Sequence, residues 1–329
     1  MLADITVDLQ YGDCGKGKVT HHLCKSKEYT HVLRYNGGCN AGHTIYHEGK
    51  KFVTHHIPAG VFFGVKSIIG SGCVVNKHQF FKELKELNEG GIETDGLVFI
   101  ANNAHVITDN HLNEDGSDTQ IGTTKRGNGP AYRDKYSRDG LRAEDVPEFE
   151  PFLIDLYNEF HGNEEVKILC EGAQGFGLDI DWGDYPYVTS SHCTSAGALL
   201  NGIPHNWARD IWGVAKIYET YVGAKSFEPD EPIFQKIRDL GEEYGATTGR
   251  PRQCNWMDFN LLNKACKING VNKLVLNKVD ILRELDTWKL FSDGQLLEFN
   301  TELDMKDWIR DKFNENDVEI FFSENKNRI

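Results

Sequence analysis

The sequence predicts an α/β fold, a single domain over residues 1–329 with a mainly parallel central sheet flanked by helices, a phosphate-loop-like first turn and long functional loops. Three observations lead there. Short runs rich in Val, Ile, Leu and Phe recur along the chain. The glycine-rich loops follow such runs directly. Patterns with helical spacing separate them. Strand, loop and helix repeated in that order call for parallel strands joined by crossover helices, and such sheets bind ligands beyond the carboxyl ends of their strands. No internal repeat, low-complexity segment or linker divides the chain.

The elements follow in order. ITVDLQ (5–10) is a first strand, YGDCGKGK (11–18) the loop after it and VTHHLCKSK (19–27) a helix. HVLRY (31–35) is a second strand that runs into the glycine-rich NGGCNAGHT (36–44). FVTHHIP (52–58) and SIIGSG (67–72) are further short strands. NKHQFFKELKELNEGG (76–91) places apolar residues at helical spacing and stops at Gly90 and Gly91. LVFIAN (97–102) is a strand. TQIGTTKRGNGPAYRDK (119–135) is a long polar loop, and loops of that length in a compact domain commonly carry function. VPEFEPFLIDLYNEF (146–160) is an amphipathic helix, VKILCEGAQGFG (166–177) a strand and then a glycine loop, and DIWGVAKIYETYVGA (210–224) strand-like. YGATTGRPRQCNW (244–256) is a second polar loop, NKLVLNKVD (272–280) a strand ending in a turn, and VEIFFSENKNR (318–328) repeats that pattern.

Composition removes several function classes. The formal net charge is -14, against the basic surface a nucleic-acid wrapper needs. No apolar run approaches the ~20 residues of a membrane span. MLADITVDLQ has no basic segment leading into an apolar one, so no secretory signal is expected. The eight cysteines form no C-x-x-C pair and predict reduced, buried thiols in a cytoplasmic protein. Anionic small ligands remain open, provided that basic residues converge on one site.

Two short motifs suggest what those ligands are. Gly12 to Lys18 satisfies G-x-x-x-x-G-K, in which glycines turn backbone N–H groups towards phosphate oxygens at a helix N-terminus. The hydroxyl that usually follows, as a magnesium ligand, is Val19 here, and Asp13 stands inside the loop instead, as a metal ligand or base. Asn277-Lys278-Val279-Asp280 after KLVL matches the turn with which GTPases read guanine. The Asp280 carboxylate would accept from guanine N1–H and its 2-amino group, donors that adenine lacks. Thr123, Thr124, Lys125, Arg126, Arg133, Lys135 and Arg138 in one polar loop, and Thr247, Thr248, Arg250 and Arg252 in another, suit phosphates or carboxylates. Gly-flanked turns carry His43 and Gln174.

Taken together and in this order, GDCGKGK, GGCNAGHT, GTTKRGNGPAYRDK, EGAQGFGLDIDWGDYPYVTSS, GATTGRPRQ and NKVD resemble the motifs of the adenylosuccinate synthetase family. The resemblance runs from residue 4 to the C-terminus. It implies a ligase in which a base takes N1–H from a 6-oxopurine nucleotide, O6 attacks the γ-phosphate of a triphosphate, and the aspartate amine displaces the 6-phosphoryl group. The catalytic set implied is Asp13, His43, Lys16 and Gln174. Triphosphate contacts fall on Gly12, Gly15, Lys16, Gly17, Lys18, Gly42, His43, Thr44, Arg252, Asn277, Lys278, Asp280 and Ser323. The purine monophosphate meets Asp13, Asn40, Thr124, Arg138, Gln174, Thr189 and Val222, with Arg138 supplied by the neighbouring subunit of a homodimer. L-Aspartate meets Thr124, Arg126, Val222, Thr247, Thr248 and Arg250. Mg²⁺ is the implied cofactor, on Asp13 and the Gly42 carbonyl.

Departures accompany the match: Cys14 for Glu, Lys125 for Gly, Pro251 and Gln253 for Arg, and SENKNR for STGPDR, with Ser323 kept and Asn325 replacing a glycine. The short chain resembles the archaeal enzymes and a phage branch that ligates aspartate to dGMP, which makes dGMP the preferred substrate, giving N6-succino-2-amino-2'-deoxyadenylate; the alternative, suited by the retained Asp13, is IMP. GTP is the expected donor, with ATP or dATP as alternatives. Outside the ligases, a P-loop GTPase switch is the main rival, though it calls for a hydroxyl where Val19 stands.

Overall fold

The computed structural model describes residues 1–25, 28–40, 42–117, 122–162, 165–245, 249–314, 317–325 and 329. At its centre is a nine-stranded sheet, in which every pairing is parallel. Its spatial order is Glu319–Phe322, Lys273–Asn277, Ala208–Lys216, Leu2–Asp8, Lys167–Glu171, His31–Arg34, Lys66–Ile69, Val98–Ala101 and Leu153–Ile154. The first strand lies in the interior because both its edges are taken, by Lys167–Glu171 on one side and Ala208–Lys216 on the other. It is covered on both faces, which is why Ala3, Ile5 and Val7 on one face and Asp4, Thr6 and Asp8 on the other are all buried.

Helices cover the sheet, and their ends follow from the sequence. Lys77–Glu89 starts where the Asn76 side chain accepts the N–H of Gln79 at 2.9 Å and buries Phe80, Leu84 and Leu87. Phe259–Asn269 starts at Asp258, which accepts the N–H groups of Asn260 and Leu261, and stops at Gly270 in the left-handed region. Such caps contribute about 1 kcal/mol each. A second, four-stranded sheet (Tyr218–Tyr221, Gln253–Asp258, Trp288–Ser292, Gln295–Phe299) packs beside the first. The hairpin His43–His47 with Lys50–Thr54 and the pair Val74–Asn76 with His105–Ile107 complete the strands.

Several elements differ from the expectation. The helix expected over 146–160 is a 3-10 turn at Pro147–Phe152, a two-residue edge strand at Leu153–Ile154 and a short helix at Leu156–His161. Pro151 interrupts the helical ladder there. The strand-like run 210–224 divides into Ala208–Lys216 in the parallel sheet and Tyr218–Tyr221 in the antiparallel one. The expected strand 52–58 is Lys50–Thr54. The polar loop 119–135 contains the helix Asn128–Ser137, and the end of the loop 244–256 is the strand Gln253–Asp258. The first helix begins earlier than expected, at Lys16, and runs to Cys24. All eight cysteines are free and buried, as their spacing predicted. Among the described residues, no helix is long and apolar enough to cross a membrane.

Candidate active site

Five strands of the parallel sheet end on one side of it, and the loops that follow them hold residues singled out by the sequence. Leu2–Asp8 delivers the first glycine turn, His31–Arg34 the turn around Asn40, Lys167–Glu171 the turn around Gln174, Ala208–Lys216 the approach to Val222, and Lys273–Asn277 the Asn-Lys-Val-Asp turn.

The first turn is held from within. Asp8 is buried, and its Oδ1 accepts the N–H groups of Gln10 and Gly12, both at 3.1 Å; its Oδ2 accepts the Cys14 N–H and the Lys16 ammonium, both at 3.0 Å. The carboxylate therefore occupies part of the amide nest that the glycine pattern suggested for phosphate. The helix Lys16–Cys24 opens at Gly15 with no side-chain cap on its first amides. Lys16 also donates to the Gln174 carbonyl at 2.5 Å. Lys18 reaches away, to Ser323 Oγ at 2.7 Å and the Asn325 carbonyl at 3.3 Å. Burial first, and then the Lys278 charge, lower its pKa to about 8.

The Asn277 amide donates to the Cys14 carbonyl at 2.7 Å and ties the guanine-type turn to the first loop. Gly15 is glycine because a Cβ there would lie 3.0 Å from that same amide, with φ at 98°. Lys278 donates to the Gly241 carbonyl at 2.6 Å, and Asp280 lies in the first turn of Val279–Glu284.

His43 opens its strand against the first helix; a Cβ on Gly17 would come within 3.3 Å of the His43 Cβ. Gly42 and Thr44 adjoin it in the chain. The His43 Nδ1 lies 2.5 Å from Glu171 Oε1, and Arg34 Nη1 lies 3.2 Å from the same oxygen. The Ala59 N–H donates to the other oxygen at 2.9 Å. Burial by itself would raise the Glu171 pKa, but His43, Arg34 and the Ala59 amide outweigh it and hold the carboxyl down at about 2. Burial and the Arg34 guanidinium lower His43.

Gln174 sits at φ 55°, and its amide donates to Asn40 Oδ1 at 2.9 Å while its Oε1 is buried with no partner among the described residues. Asp13, also left-handed at φ 57°, puts its Oδ2 3.0 Å from Arg252 Nη2 and 3.1 Å from Arg252 Nε. The far side of Arg252 meets buried Glu243 at 2.7 Å. The 122–126 loop meets the turn after Tyr221, since a Cβ on Gly122 would lie 3.1 Å from the Ala224 N. Thr189 donates its N–H to the Leu178 carbonyl, and neighbouring Ser190 faces Gly129. Arg138 caps the helix Asn128–Ser137 at its exposed end, and Arg250 is exposed. Thr247 and Thr248 lie outside the described residues.

The sequence reading passed over Asp8, Arg34, Glu171, Lys216 and Glu243. Asp8 and Glu171 carried a usable signal, each being a charge that closes a strand just before a glycine turn. For Lys216 and Glu243, 27 positions apart, no local pattern exists.

A family model described as adenylosuccinate synthetase matches residues 5–163 and 148–296. The adenylosuccinate synthetase of Halothermothrix orenii is 37% identical over 361 residues, which cover 92% of this chain and 84% of that one. The Streptococcus sanguinis protein of the same name is 36% identical, covering 91% and 82%. Among solved structures, fully ligated adenylosuccinate synthetase from Plasmodium falciparum superposes with a TM-score of 0.79 at 32% identity, covering 90% and 83%. The succinoaminodeoxyadenylate synthetase of cyanophage S-2L, bound to dGMP and dATP as an energy donor, has a TM-score of 0.78 and covers 99% and 93%; at 22% identity that likeness is one of fold.

Proposed function

The chain belongs to the adenylosuccinate synthetase family, and from that premise we propose that it joins L-aspartate to C6 of a 6-oxopurine nucleoside monophosphate, IMP in the first reading, with GTP as phosphoryl donor. The reaction class is the family's, a C–N ligase. One observation carries the assignment of roles: the Asp13 carboxylate stands in the first glycine turn against Arg252, and the helix that follows that turn meets His43 at Gly17. Asp13 takes the N1 proton of the purine. O6 then attacks the γ-phosphorus; the O6–P bond forms as the bond to the β-phosphate oxygen breaks. The amine of aspartate next attacks C6, and orthophosphate leaves with O6. Developing charge in both steps needs fixed donors. Lys16 and the helix amides hold the phosphates, His43 donates to the moving phosphoryl group, and Gln174 exchanges Asn40 for the purine. Thr124, Arg126, Arg250, Thr247 and Thr248 receive the aspartate carboxylates.

Mg²⁺ takes hard oxygen ligands, and the Asp13 carboxylate and Gly42 carbonyl offer two beside the loop; bound there, the ion would offset charge on the phosphates. The GTPase-switch reading lacks its hydroxyl, because position 19 is a fully buried valine. The retained Asp13 and the names of relatives 36–38% identical support IMP. The second reading is dGMP. Arg252 engages Asp13 Oδ2, which leaves Oδ1 for an amino group beside N1. We further propose a homodimer in which Arg138 reaches the partner's monophosphate site.

The test is initial rates with GTP, Mg²⁺ and L-aspartate, supplying IMP or dGMP. Orthophosphate release that requires both aspartate and IMP is expected, with dGMP slower; the reverse order would move the assignment to dGMP. Hydrolysis indifferent to aspartate would sink the ligase reading. Asp13→Ala should reduce turnover by at least about a thousandfold and leave the thermal midpoint near that of the parent protein.

A further inference from the structure

Glu243 is buried, charged and without a part in the steps above. It immediately precedes the second polar loop, and its side chain is withdrawn from solvent. Three donors converge on it: Lys216 Nζ and Arg252 Nη1 on Oε2, both at 2.7 Å, and the Tyr218 hydroxyl on Oε1 at 2.7 Å. Burial alone would raise its pKa; Lys216, Arg252 and Lys278 reverse that and hold it at about 2. It is a fixed anion through the physiological range.

Arg252 spans the distance from this anion to the reaction. One edge of its guanidinium faces Glu243, and Nε with Nη2 face Asp13. The group is planar and rigid, so anchoring one edge dictates where the other points. The backbone adds a second tie, from the Arg252 N–H to the Glu243 carbonyl at 2.9 Å. The two carboxylates differ in one respect: Asp13 is about a third exposed, at 36%, and Glu243 is not. Only the exposed partner is free to be exchanged for a ligand.

We propose that Glu243 is a positioning residue for phosphoryl transfer. It holds Arg252 at the loop so that one guanidinium covers Asp13 until a triphosphate arrives; the same fixed edge then takes phosphate oxygens in place of the Asp13 carboxylate, with its buried anchor kept. Asp13 is thereby released to the purine proton at the moment the phosphoryl donor is in place. Lys216 keeps Glu243 compensated throughout the exchange. The inference rests on the ligase reading above and adds a residue that the motifs did not supply.

The experiment measures GTP affinity by calorimetry and kcat and KM by initial rates. Glu243→Gln should weaken GTP at least about tenfold and lower kcat about a hundredfold, with the KM for IMP changed less than about threefold. Because that variant strands the Lys216 charge, the double variant Lys216→Met with Glu243→Gln is compared after its folding is checked by thermal denaturation. Loss that persists in the double variant supports the anchoring role. Return of wild-type GTP affinity and kcat would mean that Glu243 serves only to neutralise Lys216, and would overturn the proposal. Arg252→Lys leaves the buried pair intact and should show the same loss of GTP affinity; wild-type affinity there overturns it equally. A wild-type protein that binds GTP but joins aspartate to neither purine refutes the ligase reading, while the calorimetric comparison still decides the Glu243–Arg252 coupling.

Discussion

At His43 two neighbours pull in opposite directions. Burial and Arg34 favour the neutral ring, and Glu171, 2.5 Å from Nδ1, favours the imidazolium. A neutral ring that donates Nδ1–H to Glu171 has only a lone pair at Nε2, so donation to a phosphoryl group requires the charged form. In the role proposed for His43, Glu171 is the counter-charge that supports its acid form against burial and Arg34. Glu171→Gln removes it while keeping the shape. The expected result is a fall in kcat of about 10²-fold, with the alkaline limb of the pH–kcat profile moved to lower pH because the imidazolium has lost its partner. A profile that keeps its limb in place would assign Glu171 to packing alone.

At the level of elements, the antiparallel strand Tyr218–Tyr221 carries a buried carboxyl that folding keeps protonated. Glu219 is buried there and accepts the Asp258 N–H at 3.2 Å. Burial, and then the Asp258 charge, raise its pKa to about 8, although the Asp258 N–H works against the rise. A carboxyl raised on folding stabilises most below its unfolded pKa and progressively less as pH climbs towards the folded value. From about 4.5 to pH 7 the loss is about 3 kcal/mol. Glu219→Gln should therefore unfold at a higher temperature than the parent at pH 7 and lose that advantage near pH 4.5, measured by thermal denaturation at both values. An equal difference at the two pH values would exclude the titration as the cause.

For the whole molecule, the test concerns whether the site is complete within one chain. Arg138 stands at the exposed end of its helix in the left-handed conformation. If it serves the partner's site, Arg138→Ala and Asp13→Ala are defects in different halves of a shared centre. Mixed and re-equilibrated, the two inactive variants should form half heterodimers with one intact site of two, about a quarter of full activity. No recovery, with dimers demonstrated by sedimentation, would place Arg138 outside the partner's site.

How much was legible in the sequence differs by kind of interaction. The parallel sheet was, because its strands are short runs rich in Val, Ile and Leu that helical patterns separate. The loops of Asp13, Asn40, His43, Gln174 and Asn277 were, because left-handed turns and close approaches restrict the residues that fit. At Gly37, for instance, φ is 82° and a Cβ would lie 2.7 Å from Gln174 Oε1. The break at Pro151 was missed because the apolar spacing around it remained helical. The partnerships of Asp8 with Lys16, Glu171 with His43, and Glu243 with Lys216 and Arg252 were decided only by the tertiary structure. Local sequence encodes backbone geometry and periodicity, whereas an ion pair depends on which distant strand ends meet. That choice belongs to the packed sheet, where burial makes every unpaired charge costly.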